Sequence, residues 1–507
     1  MHAKILSKAN ILKKIKLLKN NSKRIVLCHG VFDLFHVGHL RHLKYAKKQG
    51  DILIVSLTAD SFVNKGPGKP VFKENFRAEL ISAISFVDYV IISNFENALE
   101  VIRLIKPNIY CKGIEYKDFN KDITKKIRKE VNVVYKYGGK VSYSNEVTFS
   151  SSKLINENIN ILTNEQNQNI NKLKKNFSIE QIEEELKKLK QLKVLVIGEV
   201  ILDEYIFSEA IGKSAKEPVL VLRENKKERY VGGAGSIVKN ICNFCKSVSL
   251  VSYLGEKKEF NKEIRNYLTK EVKCFFINKN NSSTILKKRY LDVISNSKLL
   301  GVYQFNDDLL IDKDEKKINS FIKKQIPLHD LTIVSDYGHG LISKKNAELI
   351  SRTAKFLTLN AQINAANIGY HSLQNYNKAD CVIINERELR HEFRDRYSDI
   401  RILIKKLSRN KKYSYILVTR GARGLILYQK GINSFLETAA FANIVVDKVG
   451  AGDIILSIFS LCLRAKIDLE LAMFLSSIAA AENIKNFANK NIINPNQLIK
   501  ILTHILK

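Results

Sequence analysis

Hydrophobic runs and helical patterns alternate along the first third of the chain. Apolar runs of strand length are RIVLCHG (24–30), DILIVSL (51–57), DYVIIS (88–93) and IYCKG (109–113). Helical spacing of apolar residues separates them, over about 38–49, 74–86 and 97–105. Strands that alternate with helices in this way predict a parallel sheet with helices on both of its faces.

The alternation stops near residue 156 and starts again further along the chain. Residues 157–178 are polar and rich in Asn and Gln, which is typical of a linker. The run KVLVIGEVILDEY (193–205) then opens a second series of strands and helices that continues to the end of the chain. We therefore predict two α/β domains, residues 1–156 and 179–507.

The first candidate site follows the first predicted strand, in the run CHGVFDLFHVGHL. His36 and His39 flank Gly38 where the strand gives way to a helix. Backbone N–H groups at a helix N-terminus favour an anion, and glycine allows it to approach closely. A metal site is less favoured, because no acid stands at the HExxH spacing. We interpret the turn as a phosphate site and expect His29 and His42 to be buried.

The motif HVGH resembles the HxGH signature of the cytidylyltransferase-like nucleotidyltransferases, and matching segments continue over about 22–156. Such enzymes transfer a nucleoside monophosphate to a phosphorylated small molecule and release pyrophosphate. The resemblance implies that His36 and His39 act catalytically on the triphosphate. It also implies that Lys47, again catalytic, and Arg77 neutralise the phosphates. The other nucleotide- or phosphate-binding residues that it implies are Asp33, Gly38, Asp60, Lys112, Ser150 and Ser151.

The second candidate site lies in the run VVDKVGAGDIILSIF. Gly450, Ala451 and Gly452 allow a tight turn whose N–H groups converge on one anion. Asp453 follows directly, where a carboxylate can accept the proton of a hydroxyl that attacks a phosphoryl group. Alone, the same run could be a loop with a helix-capping aspartate.

DKVGAGD resembles the second signature of the ribokinase-like (PfkB-type) sugar kinases, and further motifs occur in the order of that family over about 190–507. The resemblance implies ATP as substrate, Mg²⁺ as cofactor and Asp453 as the catalytic base. The sugar-binding residues that it implies are Asp203, Gly232, Gly233 and Asn240. Those that it places near the nucleotide are Thr419, Gly421, Gly450, Ala451 and Gly452, with Asn385 and Glu388 linked indirectly to magnesium.

These resemblances imply an α/β fold class with two domains. The first would contain a Rossmann-like parallel sheet, and the second a ribokinase-like α/β/α sandwich with a small β lid, through which a homodimer is favoured. The sequence departs from the kinase pattern in two places. Gly235 and Ser236 replace Ala and Asn of the first signature, and FLTLNAQINAAN (356–367) replaces an Asp-Pro-Lys-like segment of the heptose kinases.

A sugar kinase joined to a nucleotidyltransferase predicts two steps of nucleotide-sugar synthesis. The pair resembles the bifunctional heptose-7-phosphate kinase and heptose-1-phosphate adenylyltransferase of lipopolysaccharide precursor synthesis, with the order of the domains reversed. One alternative is a polyol-phosphate cytidylyltransferase, which would use CTP, fused to a kinase of another carbohydrate. Another is a kinase-like domain that only senses a sugar.

Composition adds limits on partners and compartment. The 507 residues carry a formal net charge of +33, but the lysines are spread along the chain, so compositional drift is favoured over nucleic-acid binding. Seven cysteines without regular spacing favour a reducing compartment. No apolar run has the length of a membrane span. We therefore expect a cytoplasmic enzyme whose partners are sugar phosphates and nucleoside triphosphates.

Overall fold

The computed structural model describes residues 4–63, 65–66, 68–95, 97–117, 126–144, 162–268, 272–364, 367–487, 490 and 492–506. It divides into two compact units. The first consists of residues 1–163 together with 499–507, and the second of residues 164–498. The predicted domain boundaries differ from this division, because the last residues of the chain cluster with the first unit.

The first unit is built on a five-stranded sheet with the order β3-β2-β1-β4-β5, and every neighbouring pair is parallel. Its strands are β1 (Ile25–Gly30), β2 (Ile52–Thr58), β3 (Tyr89–Ser93), β4 (Ile109–Gly113) and β5 (Lys140–Ser144). Both faces of the central strands are buried, which explains why they are almost continuously apolar in sequence.

Helices cover this sheet. They are α1 (Lys8–Asn20), α2 (Val37–Lys47), α3 (Glu74–Ser82), α4 (Leu99–Ile105) and α5 (Lys126–Lys136). The N-terminal helix α1 buries Ile11 and Ile15 in the same core cluster as Ile25 and Leu27 of β1. The Ile and Leu spacing of the first twenty residues therefore reflects packing on the domain.

The second unit contains a nine-stranded sheet with the order β10-β9-β6-β13-β14-β15-β16-β17-β18. Pairing is parallel from β10 to β16 and antiparallel from β16 to β18. The strands are β6 (Lys193–Gly198), β9 (Ser247–Gly255), β10 (Lys273–Lys279), β13 (Leu331–Asp336), β14 (Leu357–Ala361), β15 (Lys378–Asn385), β16 (Lys412–Thr419), β17 (Leu425–Gln429) and β18 (Ser434–Thr438).

Eleven further helices complete the described part of the chain. They are α6 (Asn164–Asn176), α7 (Ile179–Lys188), α8 (Ala234–Ile241), α9 (Asn261–Tyr267), α10 (Asp312–Gln325), α11 (Lys344–Thr353), α12 (Glu386–Phe393), α13 (Ile400–Asn410), α14 (Ala451–Arg464), α15 (Leu469–Asn483) and α16 (Pro495–Ile505). Ser178 caps α7 as its sequence predicts, in a reciprocal capping box with Gln181. Among the described residues, no helix combines the length and apolar character that crossing a bilayer requires.

A separate four-stranded sheet with the order β12-β11-β7-β8 forms the predicted lid. Its strands are β7 (Val200–Lys213), β8 (Leu220–Gly233), β11 (Leu286–Asp292) and β12 (Lys298–Gln304). The outer half of β8 and all of β12 are largely exposed. The α/β fold class, with a Rossmann-like sheet and a ribokinase-like sandwich bearing a β lid, is confirmed.

The polar stretch predicted as a linker over 157–178 contains a helix, α6. Ile170 and Leu173 of this helix are buried. Gln166 Nε2 donates to the Ala440 carbonyl at 2.6 Å, and Asn169 Oδ1 accepts from the Ala439 N–H at 2.8 Å. Two of the amide side chains that suggested a linker therefore form hydrogen bonds with the backbone of residues 439 and 440. Composition alone does not reveal these contacts.

A buried arginine joins the carboxyl ends of the first two strands. Nη2 of Arg77 donates to the Thr58 carbonyl at 2.9 Å and to Asp60 Oδ1 at 2.5 Å. Nη1 donates to the Val31 carbonyl at 2.5 Å, and Nε donates to the Phe72 carbonyl at 2.9 Å. Arg77 and Asp60 thus bind each other, and backbone carbonyls occupy the rest of the guanidinium. Their contact with phosphate stays a prediction.

Replacing this arginine should destabilise the first unit. Arg77→Ala leaves three carbonyls and the Asp60 carboxylate without their donor, which costs about 2–4 kcal/mol of unfolding free energy. Urea unfolding of the full chain, read by hydrogen exchange in residues 25–93, measures the loss. Arg103→Ala is the control, because its partner Glu100 is exposed and the pair contributes less than about 0.5 kcal/mol. Equal losses in the two variants would contradict this role for Arg77.

Candidate functional site

The two histidines of the HxGH motif lie where β1 leads into α2. His36 is the N-cap of α2, and its Nδ1 accepts the Gly38 N–H at 3.1 Å. His39 Nδ1 accepts the His36 N–H at 3.4 Å, which completes a reciprocal capping box. The rings stack with their centroids 4.0 Å apart, and both are half-buried. The turn is therefore held by the same histidines that the motif singles out.

This capping arrangement fixes the tautomer of both rings. A ring nitrogen that accepts a backbone N–H carries no proton, so a neutral ring carries its proton on Nε2. Burial, then the nearby His36 ring and Lys65, lower the pKa of His39 to about 3. His39 is therefore neutral at pH 7, and its Nε2–H is a donor suited to a phosphate oxygen.

Lysines that the sequence interpretation missed surround this turn. Burial lowers the pKa of Lys65 to about 8, with contributions from the charges of Lys69 and Lys500. Burial also lowers the pKa of Lys69 to about 8, against the opposing effect of Asp33. Lys500 lies on α16, in the part of that helix that clusters with the first unit. Cations held close together in this way favour the binding of an anion.

Asp33 positions the loop that carries these lysines. Its Oδ2 accepts the Val71 N–H at 2.7 Å, and its Oδ1 accepts the Phe72 N–H at 3.1 Å. Asp33 thus contacts the backbone, and its direct contact with nucleotide stays a prediction. The run NKGPGKP (64–70) was the available signal, because glycines between two lysines are typical of a phosphate-binding turn.

Lys47 lies far from the HxGH turn. It ends α2, eleven residues after His36, and a helix of that length separates the two by about 16 Å. Its Nζ donates to Asp88 Oδ2 at 2.6 Å and to the Asp51 carbonyl at 2.5 Å. Helix geometry therefore places Lys47 at the opposite end of α2 from the two histidines, and its catalytic role stays an untested prediction.

Three further residues were predicted to bind the nucleotide or phosphate at the first site, namely Lys112, Ser150 and Ser151. Lys112 lies 3.6 Å from Glu130 Oε2 in a largely buried ion pair, so its contact with nucleotide stays a prediction. Ser150 and Ser151 lie outside the described residues. His29 contacts Ser56 Oγ at 3.1 Å, and burial lowers its pKa to about 3.

An apolar pocket of about 280 Å³ adjoins the turn. Phe32 and Phe35 line it, and their rings also lie 5.5 and 5.4 Å from the His39 ring. Phe72, Phe76 and Leu80 line the other side. The turn thus combines imidazole donors with an aromatic wall suited to a ring or a carbon skeleton.

In the second unit, the GAGD turn begins α14. Gly450 is its N-cap in the left-handed region, with φ 86°, which favours glycine. A Cβ built on Gly452 would meet no atom within 4 Å, so a ligand could approach this backbone closely. Asp453 is half-buried in the first turn of α14, where its Oδ1 accepts the Tyr337 hydroxyl at 2.7 Å.

The carboxyl of Asp453 has the pKa of a general base. Burial, assisted by the charge of Asp203, raises this pKa to about 7 against the opposing effects of the Tyr337 hydrogen bond and Lys287. A base with a pKa near the working pH can both accept and release a proton. These interactions also indicate that Asp203 and Lys287 lie near Asp453.

Asp203 is buried on β7, and its Oδ1 accepts Nη1 of Arg289. A Cβ on Gly232 would lie 2.3 Å from Asp203 Oδ2, so only glycine fits beside this carboxylate. Lys287 pairs in register with Asp203, and burial lowers its pKa. Arg289 and Lys287 are cations that the motifs did not predict, and period-2 alternation along β11 was the available signal.

The other two predicted sugar-binding residues lie at the end of β8 and in α8. Gly233 ends β8 with φ 59°, and a Cβ there would meet the Glu199 carbonyl oxygen at 2.4 Å. Asn240 is buried in α8 and donates to Ser236 Oγ at 3.4 Å. Its contact with a sugar stays a prediction.

A buried glutamate holds the loop that carries Tyr337. Oε2 of Glu199 accepts the Tyr337 N–H at 3.0 Å, and Oε1 accepts the His339 N–H at 3.2 Å. From the unusual 356–367 segment, Asn364 and Asn367 donate to the Tyr337 carbonyl at 2.9 and 3.0 Å. Residues 365–366 of that segment lie outside the described residues. The asparagines thus position the tyrosine that contacts Asp453.

Asn385 and Glu388 begin α12 as a reciprocal capping box. Asn385 Oδ1 accepts the Glu388 N–H at 2.8 Å, and Glu388 Oε2 accepts the Asn385 N–H at 2.9 Å. Glu388 Oε1 accepts the Ile363 N–H at 3.3 Å. Burial raises the pKa of Glu388 to about 7. Because both carboxylate oxygens already accept N–H groups, this pair fits a Mg²⁺ that is held through its water shell.

Strand register brings the predicted nucleotide residues beside this pair. Thr419 ends β16 directly opposite Asn385 at the end of β15. Gly421 follows with φ 59°, and a Cβ there would meet no atom within 4 Å. The carboxyl ends of these parallel strands therefore form an open edge, where ligands bind in sheets of this type.

Curated relatives of the chain carry the name Bifunctional protein HldE. The one from Campylobacter jejuni subsp. jejuni serotype O:6 is 45% identical over 117 residues, which is 23% of this chain and 25% of that protein. The one from Desulfatibacillum aliphaticivorans is 27% identical over 298 residues, which is 57% of this chain and 58% of that protein. The chain thus spans about a quarter of the length of the first of these relatives.

Structure and family comparisons agree on the second unit. Phosphofructokinase-2 from Escherichia coli in complex with potassium matches with a TM-score of 0.50 and 14% identity, covering 63% of this chain and 100% of that one, which is a likeness of fold. The cytidylyltransferase-like model matches residues 27–158, and the pfkB family carbohydrate kinase model matches residues 191–495. The match to the pfkB model covers more than half of this chain. The chain therefore belongs to the pfkB family of carbohydrate kinases.

Proposed function

We propose that the chain is a bifunctional enzyme of nucleotide-sugar synthesis. Its second unit would phosphorylate a sugar with ATP, and its first unit would transfer a nucleoside monophosphate to a sugar 1-phosphate and release pyrophosphate. The observation that carries the proposal is the position of Asp453. This carboxyl has a pKa of about 7, is half-buried behind the GAGD turn, and has Asp203 nearby.

In the kinase step, Asp453 would take the proton of the sugar hydroxyl as that oxygen attacks the γ-phosphorus of ATP. The Tyr337 hydroxyl holds the carboxylate in place. The N–H groups of the GAGD turn would receive the charge that develops on the phosphoryl oxygens. A bound Mg²⁺ would screen the charge between adjacent phosphates. Asn385 and Glu388 would orient its water shell.

The surroundings of Asp203 support an anionic sugar. Arg289 contacts Asp203, and Lys287 stands opposite it in register, so two cations lie beside this acid. A neutral sugar would not need a second cation there, whereas a sugar phosphate would. Together with the relatives named HldE, this supports a heptose phosphate as substrate, as in the synthesis of ADP-heptose for lipopolysaccharide.

In the nucleotidyl-transfer step, the Nε2–H donors of His36 and His39 would bind the triphosphate. Lys65 and Lys69 would neutralise the leaving pyrophosphate. The sugar phosphate supplies the attacking oxygen, so the protein has only to align the reactants and to stabilise the charge that develops. ATP is the proposed donor. Product mass spectrometry with ATP and CTP in parallel distinguishes an adenylyltransferase from a cytidylyltransferase.

We also propose small-molecule partners only, a cytoplasmic location and a homodimer. The resemblance to lid-bearing kinases supports the dimer, and the exposed strand β12 at the edge of the lid is the surface that would pair. Light scattering of the full chain measures this state.

Asp453→Asn should abolish the kinase step. An amide cannot accept the hydroxyl proton, so kcat should fall by about 10²–10⁴-fold. ADP formation from ATP and heptose 7-phosphate measures the loss, and Asp312→Asn, on an exposed first turn, is the matched control. In the wild type, kcat/KM should rise as the pH increases through about 7, because the base acts only when it is deprotonated. ADP formation by Asp453→Asn at the wild-type rate would refute the assignment.

His39→Ala should impair only nucleotidyl transfer. Loss of one preorganised donor costs about 100-fold or more in rate, while sugar phosphorylation by the same chain should be unchanged. Pyrophosphate release from ATP and heptose 1-phosphate measures the first step. His391→Ala, on the exposed face of α12, is the control. Wild-type pyrophosphate release from His39→Ala would contradict the proposed role.

Nucleotidyl transfer should weaken in alkaline solution. Lys65 and Lys69 each have a pKa of about 8, so they are charged below this pH and lose their charge above it. Because triphosphate binding needs both charges, kcat/KM should fall about 30-fold between pH 8 and pH 9. In the variant Lys65→Arg/Lys69→Arg the guanidinium groups stay protonated, so this decline should disappear. The same decline in both proteins would contradict the assignment.

A further inference from the structure

Three potential metal ligands converge inside the first unit. They are the thiols of Cys28 and Cys111 and the imidazole of His42, and their ligand atoms all lie within 4.8 Å of one another. Both cysteines are buried and free. None of the three has a role in the proposed nucleotidyl-transfer step.

The sheet topology places the two thiols together. Cys28 on β1 and Cys111 on β4 are directly paired in the parallel register. Side chains paired in register lie on the same face of a sheet. His42 comes from α2, three residues after His39, and approaches the thiols from the helix that packs on that face. The three ligands therefore come from separate elements, which is typical of a tertiary site and explains why sequence spacing does not reveal it.

We propose that Cys28, His42 and Cys111 bind a Zn²⁺ ion. Two cysteines and one histidine are a known protein donor set for zinc, with water in the fourth position. Zn–S and Zn–N bonds of about 2.3 and 2.0 Å in a tetrahedron place the ligand atoms about 3.5–3.8 Å apart. The ligand atoms, which lie within 4.8 Å of one another, would have to close by up to about 1 Å to reach this geometry.

The surroundings of His42 are those of a ligating imidazole. His42 Nδ1 lies 2.7 Å from Oγ of Ser144, which is fully buried. With Nδ1–H donating to this hydroxyl, Nε2 carries the lone pair that a metal requires, and an outer hydrogen bond of this kind orients a ligating ring. Burial also lowers the pKa of His42 to about 4, so the ring is neutral.

Charge balance also favours the ion. Zn²⁺ with two thiolates is neutral. The nearby ammonium of Lys112 lies 3.6 Å from Glu130 Oε2, which forms a second neutral pair. Glu130 is fixed in this position because it also accepts the Tyr110 hydroxyl at 2.9 Å. The bound ion would tie α2, which carries the HxGH turn, to β1 and β4, so it would stabilise the turn and take no part in the chemistry.

Cobalt titration of the full-length protein tests the site. The protein is purified with a non-thiol reductant, stripped with a chelator and titrated with Co²⁺ alone. We expect one equivalent to bind with a thiolate-to-cobalt charge-transfer band and intense visible bands of a tetrahedral ion, which one equivalent of Zn²⁺ abolishes. Cys28→Ser and Cys111→Ala should each lose most of the charge-transfer intensity. His42→Ala should weaken binding at least tenfold.

The matched control removes the other close pair of cysteines. In the Cys242→Ser/Cys245→Ser variant the cobalt spectrum should be unchanged. A spectrum that depends on that pair, or one without a thiolate band, would overturn the proposal. Circular dichroism shows whether each variant folds. If either Cys28→Ser or Cys111→Ala fails to fold, the other variant still tests the site. Metal binding is measured without substrate, so its failure would leave the proposed enzymatic activities untouched.

Discussion

A buried carboxylate must have its hydrogen bonds satisfied, and in each unit such a group holds the loop on which the proposed chemistry depends. Asp33 accepts backbone N–H groups of residues 71 and 72 and so fixes the loop of Lys65 and Lys69. Glu199 accepts the N–H groups of Tyr337 and His339. An unpaired buried carboxylate would cost several kcal/mol, so these hydrogen bonds stabilise the positions of the backbone groups that they contact.

The two candidate sites differ in the charge of their key side chains, which are cationic lysines in the first unit and a carboxyl of raised pKa in the second. In the first unit, the ring of His39 is neutral, and the lysines of lowered pKa supply positive charge that an incoming polyphosphate would compensate. In the second, Asp453 has a raised pKa because burial and a nearby acid disfavour its charge. Binding of anions and removal of a proton need these different environments, which explains why a single pocket would serve both reactions poorly.

In the asparagine-rich segment over 356–367, residues that depart from the family pattern form hydrogen bonds within the fold. Loss of charge there weakens the sequence argument for a heptose substrate. In the structure, Asn364 and Asn367 donate to the Tyr337 carbonyl, and Asn360 donates to the Ile383 carbonyl. The cations beside Asp203, Lys287 and Arg289, come instead from strand β11 of the lid. In the proposed kinase step, positive charge for the substrate would therefore come from a different element.

The sequence by itself determined the alternating α/β architecture, the β lid implied by family resemblance, and the two turns at HxGH and GAGD. These features depend on residues close in the chain, through periodicity, helix capping and the freedom of glycine. Only the tertiary structure decided the roles of residues whose partners are distant in sequence. It assigned Arg77 to backbone carbonyls, placed Lys47 at the far end of α2, and brought Lys500 to the lysine loop. Burial and strand register set these contacts, and neither can be read from local spacing.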